Sequence, residues 1–356
     1  MQWQTPSGRI VTTDEMLNVY SELNPLDRDG CNNFFSTFGP GNISSVSDPF
    51  MHLANRPYER LLVYEHILHE IMATDNAKFN QIHKGTPYFF ISWLAFTVKD
   101  FEKAIFYMDS AISEDIRATA TTANPNGWQT TPAARFLLLD ENQPDVVARS
   151  IIHIISTEFT NQLSQFNNAT GANMQLVQFR DSFITPNMQD NSFRSIISGL
   201  YVYIMEYRDR TYMLRLKSSQ GGSIEPFLVH LFKGCLIFES LLKLEYGSDT
   251  RNTMGDYLST LQLRSDLEIG QGNYSASPVY RRDQPHSRYT LPIILGLLTR
   301  WRNEDYKEKI IAISYGIRNT AGHDLSWPVT FDEITYQEVY EGILHSILWF
   351  IWRVKI

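Results

Sequence analysis

Cysteine is scarce: Cys31 and Cys235 stand alone among 356 residues, with no C-x-x-C. That excludes a disulfide framework and a zinc ribbon, and it fits a reducing, cytoplasmic setting. Long apolar runs are also missing. No stretch reaches the roughly 18 to 20 apolar residues that span a bilayer. The nearest, Ile343–Trp352, is too short and reads as a buried terminal helix, so no membrane is expected. The start of the chain, Met1 to Thr5, has neither a basic nor an apolar leader pattern, so secretion is not expected. No G-x-S-x-G, kinase motif set or paired-carboxylate pattern occurs, and Gly270-Gln-Gly272 lacks the lysine of a P-loop.

What is present is ordinary globular composition with ample aromatics, 43% hydrophobic and 13% aromatic. The length favours two domains over one. The net charge of −8 argues at first against a nucleic-acid partner, but it is unevenly placed. Residues 1–190 hold 12 Lys+Arg against 21 Asp+Glu, a net of −9; residues 191–356 hold 19 against 18, a net of +1. Phosphate contacts depend on local potential, so the neutral, arginine-rich C-terminal half can still meet RNA.

Apolar residues recur at helical spacing from Pro57 onward, and no period-2 run of any length competes with them. The reading is all-α, in three parts. Residues 1–50 are an irregular N-terminal segment with one short helix near Asp14–Leu23. Residues 51–185 form an acidic helical domain, and residues 192–356 a helical bundle. Phe179–Asn191 reads as a linker between them, and Thr119–Pro132 as a loop. A capping-box pattern at Thr330 and Glu333 starts the last helix. Within the first domain, Lys99–Ala111 is similar to the hinge and second helix of a tetratricopeptide repeat. It carries small residues at Ala104 and Ala111 around Met108, with Ser92 and Ile116 departing from that pattern. One such hairpin is expected, not an array.

His66 and His69 share a helical face, but Ala73 stands where H-E-x-x-H needs its second histidine. No metal or other cofactor is expected. In the C-terminal half, Arg281, Arg282, Arg288, Arg300 and Arg302 face one acid across 281–302, beside Tyr280, Tyr289 and Trp301. Such a mixture can hold single-stranded RNA by phosphate contacts and stacking.

The segment Arg318-Asn319-Thr-Ala-Gly322-His323 carries the sharpest signal. A continuous helix would set Arg318 and His323 roughly 140° apart. A helix ending at Gly322 would let His323 swing back toward the Arg318 face. This segment resembles the R-x4–6-H signature of the HEPN superfamily, in the form with a polar residue after the arginine. Phe232–Lys243 is similar to that family's earlier packing helix, which often supplies a polar side chain, here Glu239 and Lys243. The resemblance covers roughly 192–356.

It implies a metal-independent endoribonuclease leaving 2′,3′-cyclic phosphate and 5′-hydroxyl ends. His323 would transfer protons, Arg318 would bind the scissile phosphate and Asn319 would orient one of the two. It also implies a homodimer with a shared site, and often a toxin or antiviral defence role. The acidic domain would then recruit a protein or small-molecule regulator. It lacks the strand–helix alternation of a cyclic-oligoadenylate sensor, so that ligand is not expected. The alternative is a non-catalytic helical adaptor or sensor built on a degenerate bundle.

Overall fold

Leu61, Tyr64, Ile67, Leu68 and Ile71 fall on one face of a 3.6-residue period, and all five are buried. The computed structural model describes residues 2–4, 10–41, 53–119, 124–143, 146–217, 222–247, 253–269, 306–321 and 332–356. There the pattern becomes helix α3, Pro57–Thr74, with the proline in its first turn where no intrahelical N–H is lost. The described residues are helical almost throughout, and the fold is all-α. They divide into two compact units, 1–154 and 155–356.

In the first unit, the expected irregularity of the N-terminal segment is corrected. Strands β1 (Gln2–Gln4) and β2 (Ile10–Thr12) pair antiparallel, Trp3 opposite Val11. Helix α1 (Thr13–Glu22) follows, capped by Thr12, whose hydroxyl accepts from the Glu15 N–H. Helix α2 (Arg28–Phe38) is capped by Asp27. Glycine and two asparagines lower the helix propensity of α2. Burial of Cys31, Phe34, Phe35 and Phe38 along one face overrides it. After α4 (Asn76–Gln81), helices α5 (Gly85–Thr97) and α6 (Phe101–Thr119) form a tight hairpin. Ala104, Met108 and Ala111 are fully buried in it. Ser92 donates its hydroxyl to the Ala104 carbonyl at 2.6 Å, which ties the two helices where both side chains are small. Helix α7 (Pro132–Leu137) closes the unit, and α8 (Val146–Thr170) contains the division between the two.

The expected linker at 179–191 is also corrected. Residues 176–187 are wound as α9 (Leu176–Phe179), a π turn (Arg180–Ile184) and α10 (Thr185–Asn187). Phe179, Phe183, Ile184 and Met188 are buried there, so the proline at 186 sits in a first turn and breaks nothing. Helices α11 (Asn191–Leu216) and α12 (Glu225–Tyr246) follow, then the short α13 (Met254–Leu258) and α14 (Leu261–Asp266). The last two are α15 (Tyr306–Ala321) and α16 (Glu333–Phe350), the latter running on through a π turn. The cap of α16 is Asp332, which accepts from the Thr335 N–H at 2.7 Å; Thr330 lies outside the described residues.

Helix α12 packs against α11, α15 and α16. Glycine makes that possible at one point. A Cβ on Gly234 would stand 2.5 Å from Cζ of Tyr203 and 2.7 Å from Ile343 Cγ2, both in the core. On Gly199 of α11 it would meet only Ile237, at 3.5 Å. Gly→Ala gains up to about 1 kcal/mol of helix propensity, whereas overpacking a core costs roughly 1–3 kcal/mol. The two substitutions should therefore differ in sign. In urea unfolding, Gly199→Ala raises the midpoint and Gly234→Ala lowers it; equal shifts would contradict the close approach.

Candidate functional site

Phe232, Cys235, Glu239 and Lys243 follow one another at intervals of three and four residues, so α12 presents them as one stripe. Helix α15 lies along that stripe and brings Arg318 onto it. Arg318 Nε donates to Glu239 Oε2 at 2.7 Å, and Lys243 Nζ stands 2.9 Å from Oε1 of the same carboxylate. The guanidinium carbon lies 5.6 Å from the centre of the Phe232 ring, within cation–π range. Accessibility is graded: the Glu239 side chain is 3% exposed, Arg318 28% and Lys243 46%. A buried anion thus holds a half-buried cation whose outer part reaches solvent. Burial pushes the Glu239 carboxyl up, but hydrogen bonds and charge from Arg318 and Lys243 more than offset it, so it is held below the ordinary carboxylate range. The carboxylate is therefore charged at neutral pH, and its lone pairs fix the guanidinium plane.

Three of the expected residues, Arg318, Glu239 and Lys243, are brought together. Asn319 makes no side-chain amide donation among the described residues. Its Nδ2 is buried with no partner there, and it is Glu239 that holds the arginine. His323 and the arginines at 281, 282, 288, 300 and 302 lie outside the described residues. The described part of α15 runs to Ala321.

Two other histidines of the bundle do not qualify as bases. His230 Nε2 donates to the Tyr203 carbonyl at 2.7 Å, and Nδ1 accepts from the Tyr336 hydroxyl at 2.6 Å. Burial lowers its pKa to about 3. His345 Nδ1 shares a 2.6 Å hydrogen bond with the Tyr306 hydroxyl, and burial lowers the pKa of this histidine to about 4. Both are neutral, packed core side chains.

His66 and His69 are exposed on α3, with His66 3.8 Å from Glu70. Among the described residues no group of three or more His, Cys, Asp or Glu side chains is placed to hold a metal. No described helix is long and apolar enough to cross a membrane. Sequence reading passed over Arg28, His83 and Asp115, which the first unit gathers at one cavity; no short motif links residues so far apart. Compared with protein-family models, curated proteins and solved structures, the chain matches none of them, so the resemblance at Arg318–His323 rests on its own residues.

Proposed function

We propose that the chain is a HEPN-type endoribonuclease that cuts RNA without a metal, leaving 2′,3′-cyclic phosphate and 5′-hydroxyl ends. The observation that supports this most is the half-exposed Arg318 guanidinium. It lies on the helix before the terminal one and is held through Nε by a buried, ionised Glu239. A guanidinium anchored by its inner edge is preorganised to meet a phosphate with its outer edge, which lowers the reorganisation needed as charge develops. Cys235 and Phe232 supply an apolar floor beneath it. In this reading His323 takes the proton from the ribose 2′-hydroxyl or delivers one to the leaving 5′-oxygen, as an imidazole near its ordinary pKa can. RNA is held by the arginines of 281–302, two copies share the site, and the acidic first unit carries regulation.

A second reading, a helical adaptor with a chemically silent motif, draws on the same bond, since Arg318 already spends its Nε on Glu239. RNA cleavage by the purified chain in excess EDTA separates the two. The expected result is chelator-resistant cleavage that His323→Ala abolishes, with cyclic phosphate ends and a dimer by light scattering. Cleavage that survives His323→Ala removes that residue from the mechanism. Cleavage that needs a divalent ion overturns the metal-free reading.

A further inference from the structure

Arg210 lies in the last turns of α11, four residues after Glu206. Its Nη2 stands 3.8 Å from Glu206 Oε2, beyond hydrogen-bond reach, and its Nη1 meets the Met213 thioether at 3.8 Å. A thioether is a weak acceptor, so this guanidinium has no oxygen to bond among the described residues. Nε is the one nitrogen of Arg210 that is buried and unpartnered; Nη2, which also makes no hydrogen bond, reaches solvent. Arg318 shares this character. Its Nε is bonded to Glu239, while neither Nη nitrogen is buried or hydrogen-bonded among the described residues.

The two arginines flank α12 at one level. Helices α11 and α15 both pack against it. Phe232 lies beneath the Arg318 guanidinium, and Lys233 donates at 3.2 Å to Glu206 Oε2, the carboxylate oxygen nearest Arg210. Consecutive helical residues point about 100° apart, so α12 turns Phe232 toward one arginine and Lys233 toward the other. The guanidinia then stand on two flanks of the helix, roughly its width of 10–12 Å apart. One turn to either side of that level α12 shows solvent two apolar side chains, Val229, 43% exposed, and Leu236, 41% exposed.

The charges repeat one arrangement on both flanks. Glu206 lies among Arg210 and Lys233, and Glu239 among Arg318 and Lys243. Two cations against one anion leave each group at +1. The acids are recessed, at 11% and 3% exposed, while the cations range from 22% to 46%. The charge that a partner meets at the surface is therefore positive on both flanks.

Two separate cationic points with apolar side chains beside them suit a strand of singly charged phosphates joined by largely apolar, flat bases. We propose that Arg210 is a second phosphate-binding residue for RNA, and that a single strand crosses α12 at Phe232–Lys233 with phosphates on Arg210 and Arg318. This rests on the ribonuclease reading and adds to it the path of the substrate. Arg210 offers Nη2 to a phosphate oxygen, an acceptor that the described side chains do not supply. Val229 and Leu236 give the bases apolar ground on either side. Arg210 touches the strand away from the scissile bond, so its part is in binding.

Fluorescence anisotropy with a labelled 2′-O-methyl RNA, which lacks the attacking hydroxyl and stays intact, tests the path over a series of salt concentrations. Arg210→Gln should weaken binding by about tenfold and flatten the log–log salt slope by roughly 0.7, the share of one phosphate on a single strand. Arg210→Lys should restore that slope, a readout that a structural role would not move. Because Arg210→Gln could disturb Glu206, Leu236→Glu provides a second test. It sets an anion beside the path, leaves both ion-paired groups in place and should weaken binding about tenfold. An unchanged slope in Arg210→Gln, or unchanged binding by a folded Leu236→Glu, overturns the path alone. Poly-glutamate bound as tightly as the RNA overturns the nucleic-acid class. A Leu236→Glu chain that falls from dimer to monomer in light scattering gives the face to a second copy and overturns the path as well. If the unaltered chain does not bind the oligonucleotide, the ribonuclease reading itself falls, and the path with it.

Discussion

Arg318→Ala should destabilise the C-terminal unit by about 3 kcal/mol, while Glu239→Gln should cost only about 1 kcal/mol. The asymmetry follows from where each charge sits. With Arg318 gone, a carboxylate that is 3% exposed keeps only Lys243, whose amine is nearly half in water. With Glu239 neutralised, the arginine left behind is 28% exposed and solvent can reach it. The double variant Arg318→Ala with Glu239→Gln should cost less than the sum of the two single changes, giving a coupling of about 1–3 kcal/mol in a double-mutant cycle of urea midpoints. Equal costs for the two single changes would mean that the pair behaves as a surface contact.

The same cycle protects the test of function. A folded Arg318→Ala should lose cleavage by roughly 10²–10³, the scale of removing one preorganised donor from an oxyanion-type site. Glu239→Gln retains the guanidinium but loosens it, and should lose less. An activity loss that simply tracks the unfolded fraction would place Arg318 in the scaffold and not in the chemistry.

What could be read beforehand divides along local and non-local lines. Helix α12 was legible because its apolar residues recur at helical spacing, whereas Glu239 and Lys243 were singled out by the family resemblance. The start of α3 was legible because Pro57 is a local signal. The pairing of Glu239 with Arg318, 79 residues apart, came from the family resemblance; spacing could not supply it. Helix α2 was missed because its polar small residues argue against helix while four buried apolar side chains, invisible without the core, hold it. The helical turns at 176–187 were missed for a related reason, since Pro186 reads as a breaker until the burial of Phe183 and Ile184 places it in a first turn. Arg28 on α2, His83 in the loop before α5 and Asp115 on α6 are separated by more than 30 residues each, so nothing in the local pattern joins them. Asn319 shows the converse. Its position beside Arg318 suggested a role, but adjacent residues point to different helix faces, and its Nδ2 is buried with no hydrogen-bond partner among the described residues.

Acid should unfold the C-terminal unit well before its carboxylates titrate. His230 has both ring nitrogens committed, to the Tyr203 carbonyl and the Tyr336 hydroxyl. Protonating Nδ1 would break the second bond and place a cation in the core near Arg210 and Lys233, with the Glu206 carboxylate 4.0 Å away as partial compensation. His345 is hydrogen-bonded to the Tyr306 hydroxyl and has no carboxylate partner among the described residues. Their pKa values, about 3 and about 4 in the fold, compare with about 6.5 in an unfolded chain. The unfolded state therefore takes up protons from about pH 6.5 downward while the fold does not. Stability is complete above that pH and falls by up to about 1.4 kcal/mol per unit for each histidine, roughly 5 kcal/mol in all by pH 4.5. The Glu239 carboxyl, held low, contributes loss only below the ordinary carboxylate range. Urea unfolding at about pH 7, 6 and 5 should give a slope approaching two protons taken up on unfolding. A flat profile across that window would mean that the fold offers acceptors to the protonated form of both imidazoles, contrary to the commitment of both His230 ring nitrogens to the Tyr203 carbonyl and the Tyr336 hydroxyl.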